Sequence, residues 1–539
     1  MAQGRAAGDD RRLVEHRVEF DRLIGQAQRE LARQRWSAAA TWAQIAAQYA
    51  WLNHTGRFAS PELEELLRTI SRSALPPVPT RPGRPVLPER VLHVATQAYP
   101  VGGHTQMLAR WIAQDEQRRH RVVLTRQGST RFPDKLIDRL RVPDELASLD
   151  RGRGGLLERA VRLRAAAQAA DLVLLHIHPY DVVPSLAFSA GGDLPPVITV
   201  NHSDHSFWIG TAISSVLLNL RDSGRDLAIA RRGIEPERAA VLARPLGALT
   251  ERTLSRDEAK RRFGIAPDQV LIVTAAAGSK YEPIQPPGLL ELITPVFQAD
   301  PAAVLLAAGP APTGQWAAAA AATDGRIRAL GRLPDVTELH QAADGYLDSF
   351  PFASLTSMIE SGSFGNPLLT YRGHPADCGV LGADTRGLDE YLLRPSDPAE
   401  LVTDLTRMLQ DPDWRALRGE QTRAAIAASH LGAGWRAGVD ELYALAYRLP
   451  VQPTPGPARS GGDGMLDRLV EQVQSQTGHS AGRAGAEREQ LGLLPLAERL
   501  RCWIRLARTG QRPPLRGLAP EWILPLVSRL LRRLRPKAG

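Results

Sequence analysis

Hydrophobic and polar positions change rhythm three times along the chain. From about residue 12 to 72, small and aromatic residues recur at helical spacing, as in Trp36, Ala39, Ala43, Ala47 and Trp51. This predicts a helical hairpin or small bundle with its aromatics inside. A Pro-rich stretch over 76–88 ends it. Short apolar runs then alternate with helical segments: 91–95, 121–125, 171–177 and 196–200 read as strands. The pattern restarts after Leu246, with strands expected over 269–274, 303–310, 326–331, 345–348 and 367–371. Residues 397–447 read as helix throughout, and a Pro- and Gly-rich linker separates them from a helical tail.

Strands alternating with helices imply parallel sheets covered on both faces. The expected fold class is therefore α/β, with two doubly wound Rossmann-like domains. The boundaries are an N-terminal helical region over 1–85, a first Rossmann-like domain over 86–246, and a second over 247–448. A linker over 449–463 and a basic helical tail over 464–539 follow. Ligands in such sheets bind at the carboxyl ends of the strands.

A length of 539 residues exceeds what one hydrophobic core serves, in keeping with this division. Lys and Arg outnumber Asp and Glu by 67 to 58, and the isoelectric point is near 9.9. That balance suits phosphate-bearing partners without choosing among nucleotides, lipid head groups and nucleic acid. Two cysteines, Cys378 and Cys502, make no disulfide framework, so a reducing cytosol is expected. The first residues carry no apolar signal core, and no apolar run reaches the ~18 residues of a spanning helix. In the tail, residues 499–537 hold eleven basic side chains and one acidic, Glu521. Trp503, Ile504, Trp522, Ile523, Leu526 and Leu530 lie among them, as in a helix resting on an anionic membrane or a charged helix packed on the body. No nucleic-acid reading module is evident, and no nucleic-acid partner is expected.

Four places carry chemistry. Gly102-Gly103-His104 follows the first strand of the first domain, where glycines allow close backbone approach and a helix N-terminus offers N–H groups to an anion. Asn201-His202-Ser203-Asp204-His205 follows a buried strand; its imidazoles suit base or hydroxyl-binding roles. A metal site at His202, Asp204 and His205 ranks low, because no further ligand cluster accompanies them. Gly278-Ser279-Lys280 sets a cation in a small-residue loop, able to neutralise a leaving group. Ser354-Leu355-Thr356-Ser357-Met358-Ile359-Glu360 admits two readings. Ser357 and Glu360 form a capping box, or the hydroxyls and helix N-terminus hold phosphate while Glu360 accepts from a ribose.

Taken together, residues 88–447 resemble the bacterial GT-B glycosyltransferases near the large family 4 group. Gly102-Gly103 is similar to the family's first glycine-rich loop, and 199–202 to its strand ending in a histidine. Lys280 sits where the family has a phosphate-binding basic residue, and 359–367 resembles its Glu-Ala-x-x-x-Gly-x-Pro segment. Phe352 stands where an acidic residue is usual, and 354–357 is closer in character to protein O-GlcNAc transferases.

The resemblance implies transfer of a sugar from a nucleoside-diphosphate sugar to an acceptor hydroxyl, in envelope polysaccharide or glycolipid synthesis. The first domain would face the acceptor and the second the donor. His202, Asp204 and Lys280 would be catalytic. Gly102, Gly103, Gly278, Ser279, Arg332, Thr356, Ser357 and Glu360 would bind donor, and His104 and His205 would lie on the acceptor side. No cofactor and no metal are expected. The partners would be the nucleotide sugar, a glycan or lipid-linked acceptor, and an anionic membrane surface under the tail. Placement would be cytoplasmic, peripheral on the inner face of the membrane. An epimerase of the same fold and a noncatalytic nucleotide-sugar-binding regulator are the alternatives.

Overall fold

The computed structural model describes residues 2–79, 87–100, 103–140, 145–249, 251–450, 464–476, 482–511 and 513–523. Gly102, the linker over 451–463, and Leu526 and Leu530 of the tail lie outside the described residues.

Three helices open the chain: α1 (Ala2–Ala32), α2 (Trp36–Leu52) and α3 (Pro61–Ala74). The alanine-rich α2 is buried from Ala38 to Ala50, because side chains this small let neighbouring helices approach on all sides. Ser60 caps α3 by accepting from the Leu63 amide, with Pro61 in the first turn.

The first sheet follows. Its elements are β1 (Arg90–Ala95), α4 (Gly103–Gln114), β2 (Arg119–Leu124), α5 (Asp134–Ile137), β3 (Leu146–Ser148) and α6 (Leu156–Gln168). Next come β4 (Leu172–His176), α7 (Val182–Phe188), β5 (Val197–Asn201), β6 (Val216–Asn219), α8 (Asp222–Arg232) and β7 (Ala239–Val241). The strands run β3-β2-β1-β4-β5-β6-β7, all parallel.

The second sheet begins with α9 (Arg256–Arg262), β8 (Val270–Ala275), α10 (Leu289–Ala299), β9 (Ala303–Ala308), α11 (Gln315–Ala322) and β10 (Ile327–Ala329). It continues through α12 (Thr337–Ala342), β11 (Gly345–Leu347), α13 (Leu355–Ser363), β12 (Leu368–Leu369) and β13 (Leu392–Leu393). The order is β10-β9-β8-β11-β12-β13, again all parallel. In both sheets the order reverses beside the first strand, between β1 and β4 and between β8 and β11. These are the switch points where doubly wound sheets take ligands.

The strands β3, β6, β7 and β13 are additions to the sequence expectation. Each has two to four residues, too few for a period to show, and β6 is buried on both faces. The helices α14 (Pro398–Gln410), α15 (Pro412–His430) and α16 (Gly432–Arg448) fill the stretch expected to be helical. α16 crosses back to the first domain. Trp435 packs edge-on against Trp111 at 5.1 Å, and the Tyr443 hydroxyl accepts from the Trp111 indole at 2.9 Å. Gln114 fixes the crossing by donating to the carbonyls of Leu246 and His430 at 2.7 and 2.9 Å.

The tail helices α17 (Met465–Gln476), α18 (Arg483–Gln490) and α19 (Leu496–Arg508) pack on the body. Gln490 receives a bond from Gln44 at 2.8 Å and donates to Gln48 at 2.6 Å, joining α18 to α2. Ala486, Leu494, Cys502 and Leu506 enter the same core as Phe20, Ala43 and the β1 residues Leu92 and Val94.

Candidate active site

Loops at the carboxyl ends of the two sheets meet across a cleft. From the first domain come the His202–His205 loop after β5, Arg221 after β6 and Arg244 after β7. From the second come Lys280 in a single turn after β8, and the segment 348–356 after β11.

Lys280 is shaped by its neighbours. Its ammonium donates to the Ala353 carbonyl at 2.7 Å and sits 4.7 Å from the centre of the Phe352 ring. Burial lowers its pKa to about 8, with Arg221 and Arg244 adding to the effect and Asp348 opposing it. Phe352, standing where an acid is usual in the family resembled, is thus a cation platform, and its ring also meets His205 edge-on at 4.7 Å. Gly278 and Gly309 make the turn possible. A Cβ on Gly309, at φ 116°, would meet the Ala276 carbonyl oxygen at 1.7 Å, so only glycine lets the β8 and β9 loops close together. Ser279 and Arg332 lie on the same side, Ser279 half-buried and Arg332 exposed.

Asp348 is a residue that sequence reasoning missed. It accepts from the amides of Ser349 and Ser354, both at 2.9 Å, and so holds the loop that presents Phe352 and Ala353 to Lys280. Burial raises its pKa to about 6, opposed by the Ser354 amide and by Lys280. Its place at a strand's carboxyl end was the available signal.

Arg244 and Arg110 were also missed. Arg244 reaches from the first domain to the Thr356 hydroxyl at 3.0 Å, and passes close over Gly103. Burial lowers its pKa to about 10, helped by Arg110. Its Nε is buried without a hydrogen-bond partner. Arg110 of α4 pairs with Glu360 of α13 at 2.9 Å, the second strut across the cleft. This corrects the capping-box reading of Ser357 and Glu360. The helix α13 begins at Leu355, so both residues lie inside it, and Glu360 turns to the other domain.

In the first domain His202 and His104 stand ring to ring at 4.2 Å. Burial pushes His104 down to about 3 and His202 well below its ordinary value, so both are neutral near pH 7. Asp204 is held differently. Arg221 grips its two oxygens at 2.6 and 2.9 Å and donates onward to the Val380 carbonyl at 2.5 Å and to the Gly382 carbonyl. Burial alone would raise the Asp204 carboxyl, but Arg221 outweighs it and holds the group well below the usual carboxylate range. Asp204 therefore ties the His202 loop to the second domain. His205 lies 3.4 Å from Asp204, at the seam between the domains.

A cavity of about 340 Å³ opens beside this site, lined by Gln97, Tyr99, Arg126, His178 and, from the tail, Glu489 and Glu521. Arg126 joins the tail to the domain through Glu521 at 2.8 Å. Among the described residues no group of three or more His, Cys, Asp or Glu side chains is arranged to hold a metal ion.

Two parallel doubly wound sheets, strand ends facing across a cleft and a last helix crossing back, define the GT-B architecture. A crystal structure of a glycosyltransferase from Rickettsia africae ESF-5 is similar at a TM-score of 0.51 and 10% identity, covering 67% of this chain and 99% of its own. Anabaena HepE in complex with UDP gives a TM-score of 0.49 at 15% identity, covering 65% and 98%. A Thermobaculum terrenum O-GlcNAc transferase gives 0.45 at 15%, covering 81% and 82%. No family model and no curated protein matches the sequence. The fold expected from the sequence is the fold found.

Proposed function

We propose that this protein is a glycosyltransferase that moves a sugar from a nucleoside-diphosphate sugar to an acceptor hydroxyl. The observation that carries the reading is the cation set at the cleft: Lys280 and Arg244 converge with the Thr356 hydroxyl at the switch points, and the Arg244 Nε lacks a partner. A diphosphate supplies the missing acceptor. In the reaction the acceptor oxygen bonds to the sugar's anomeric carbon as the bond to the diphosphate oxygen breaks. The hydroxyl proton passes to a base in the cleft, and the diphosphate leaves carrying the electron pair. Lys280, Arg244 and the α13 N-terminus stabilise the charge that develops on it. Glu360 receives the ribose hydroxyls, exchanging its Arg110 partner for them, and Gly331, Arg332 and Leu333 line the base. Closure of the domains limits hydrolysis.

The test is release of nucleoside diphosphate from UDP-, GDP-, TDP- and ADP-sugars, with and without a lipid and glycan extract. Extract-dependent release from one donor is expected. Acceptor-independent isomerisation of the sugar would make the protein an epimerase, and tight donor binding without release would make it a regulator.

The acceptor is proposed to be lipid-linked. On α19, Leu496, Leu500 and Ile504 are 64%, 42% and 43% exposed at successive four-residue steps, beside exposed Arg501 and Arg508. An apolar stripe flanked by arginines fits the surface of an anionic bilayer, and no described helix is long and apolar enough to cross one. The full chain is expected to sediment with anionic phospholipid vesicles at low salt, and the Leu500→Glu, Ile504→Glu variant to stay in solution. Equal behaviour of the two proteins would refute the surface.

A further inference from the structure

Four histidines occupy neighbouring strands of the first sheet: His120 on β2, His93 on β1, His176 on β4, and His202 just past β5. Their register is a staircase. His120 pairs with Val91, two residues before His93, and His93 pairs with Leu174, two before His176. Leu174 pairs with Ile198, which brings His176 level with Val200, two before His202. Steps of two keep every ring on one face of the sheet, because side chains alternate with period two. The row therefore climbs diagonally from the amino end of β2 to the cleft.

The rings are in hydrogen-bond contact throughout. His202 Nε2 is 3.1 Å from His176 Nδ1, His176 Nε2 is 3.2 Å from His93 Nδ1, and His93 Nε2 is 2.9 Å from His120 Nδ1. The far end meets a backbone carbonyl, with His120 Nε2 2.6 Å from the Asp115 oxygen. A carbonyl only accepts, so His120 carries its proton on Nε2. A neutral imidazole donates from one nitrogen and accepts at the other. His120 Nδ1 is then bare and accepts from His93 Nε2–H. By the same rule His93 Nδ1 accepts from His176, and His176 Nδ1 accepts from His202 Nε2–H. What remains is a bare Nδ1 on half-buried His202, with no hydrogen-bond partner among the described residues.

The condition is that the rings are neutral. Burial lowers His93 well below its ordinary value and His176 to about 3. The Asp115 carboxylate lies 3.8 Å from His120 Nε2, but it is already paired with Arg118 at 2.6 Å and bonded by the Tyr443 hydroxyl at 2.9 Å, and the shorter contact of that nitrogen is to the Asp115 carbonyl at 2.6 Å.

We infer that the row is a polarity lock: His176, His93 and His120 are positioning residues that hold His202 in the tautomer whose bare Nδ1 faces the cleft and takes a substrate hydroxyl proton. The use made of that nitrogen rests on the transferase reading; the tautomer itself does not.

The experiment uses the full chain labelled with ¹⁵N-histidine, because bare and protonated ring nitrogens resonate far apart. His202 is assigned by the signals lost in His202→Asn. The expected result is a bare Nδ1 and protonated Nε2 on His202, and the same pattern on the other three rings. A protonated Nδ1 on His202 overturns the lock, with no other variant needed. His93→Leu cuts the row two rings from the cleft. It should give His202 a mixture of tautomers and lower kcat about 10²-fold, the low end for a general base, with the donor KM nearly unchanged. A His93→Leu protein with the original His202 tautomer and turnover also overturns it. Should no donor be turned over at all, the transferase reading falls while the nitrogen signals still decide the lock.

Discussion

Replacing Lys280 with alanine is expected to lower kcat by about 10²–10³-fold with the fold intact, the scale on which removal of one preorganised donor to a developing oxyanion is felt. Its ammonium bonds one backbone carbonyl, that of Ala353, and faces one ring, that of Phe352. Neither contact holds a strand or a helix in place, so circular dichroism and the thermal midpoint should change little. The loss should fall on kcat more than on donor KM, because negative charge on the leaving diphosphate is greatest at the transition state. The pH profile should carry the same signature. Burial sets this lysine near 8, and only the protonated form neutralises phosphate. The wild-type kcat/KM, which reports the free protein, should therefore decline as pH rises through about 8. In Lys280→Ala that limb should be gone. Turnover within a fewfold of wild type would remove Lys280 from the diphosphate site.

Arg221→Leu should act on stability instead. It leaves Asp204 in a largely enclosed place without its cation, and side-chain exposure of the pair is 9% and 13%. Breaking such a pair by removing one partner costs about 3–5 kcal/mol. The domains are joined here as well, since Arg221 also donates to the carbonyls of Val380 and Gly382. Denaturant unfolding followed by tryptophan fluorescence should show the midpoint falling for Arg221→Leu, and for Asp204→Ala alongside it. The companion Asp204→Asn separates two roles for this carboxylate. If it is a structural tie, stability and turnover fall together. Lost turnover at wild-type stability would restore Asp204 to the reaction.

The two-sheet plan was legible because it rests on local periods. Runs such as 172–175 and 303–308 are wholly apolar, as suits strands buried on both faces. The site was legible only where a single loop shows its chemistry, as Gly278-Ser279-Lys280 does. Arg110 with Glu360, Arg244 with Thr356, and Arg221 with Val380 are separated by 250, 112 and 159 positions, and no spacing rule reaches that far. The capping-box reading of Ser357 and Glu360 went astray for the same reason. A three-residue spacing fits a helix start, but the start was set at Leu355, and a distant arginine took the carboxylate. His93, His120 and His176 carried no visible signal, because two-residue offsets between strands become a row only once the strand order is known.

The core shared by Phe20, Leu92 and Leu506 has a consequence for the order of synthesis. The second domain occupies one continuous stretch, so its sheet has all its strands once residue 393 has emerged. The first domain, though translated earlier, waits for α16 to cover Trp111 and for α18 and α19 to cover the N-terminal helices. The half made first is thus the half finished last. Until then the outer faces of α2 and α4 stay bare, and a nascent chain depends on α16, α18 and α19 to cover surfaces made at the outset.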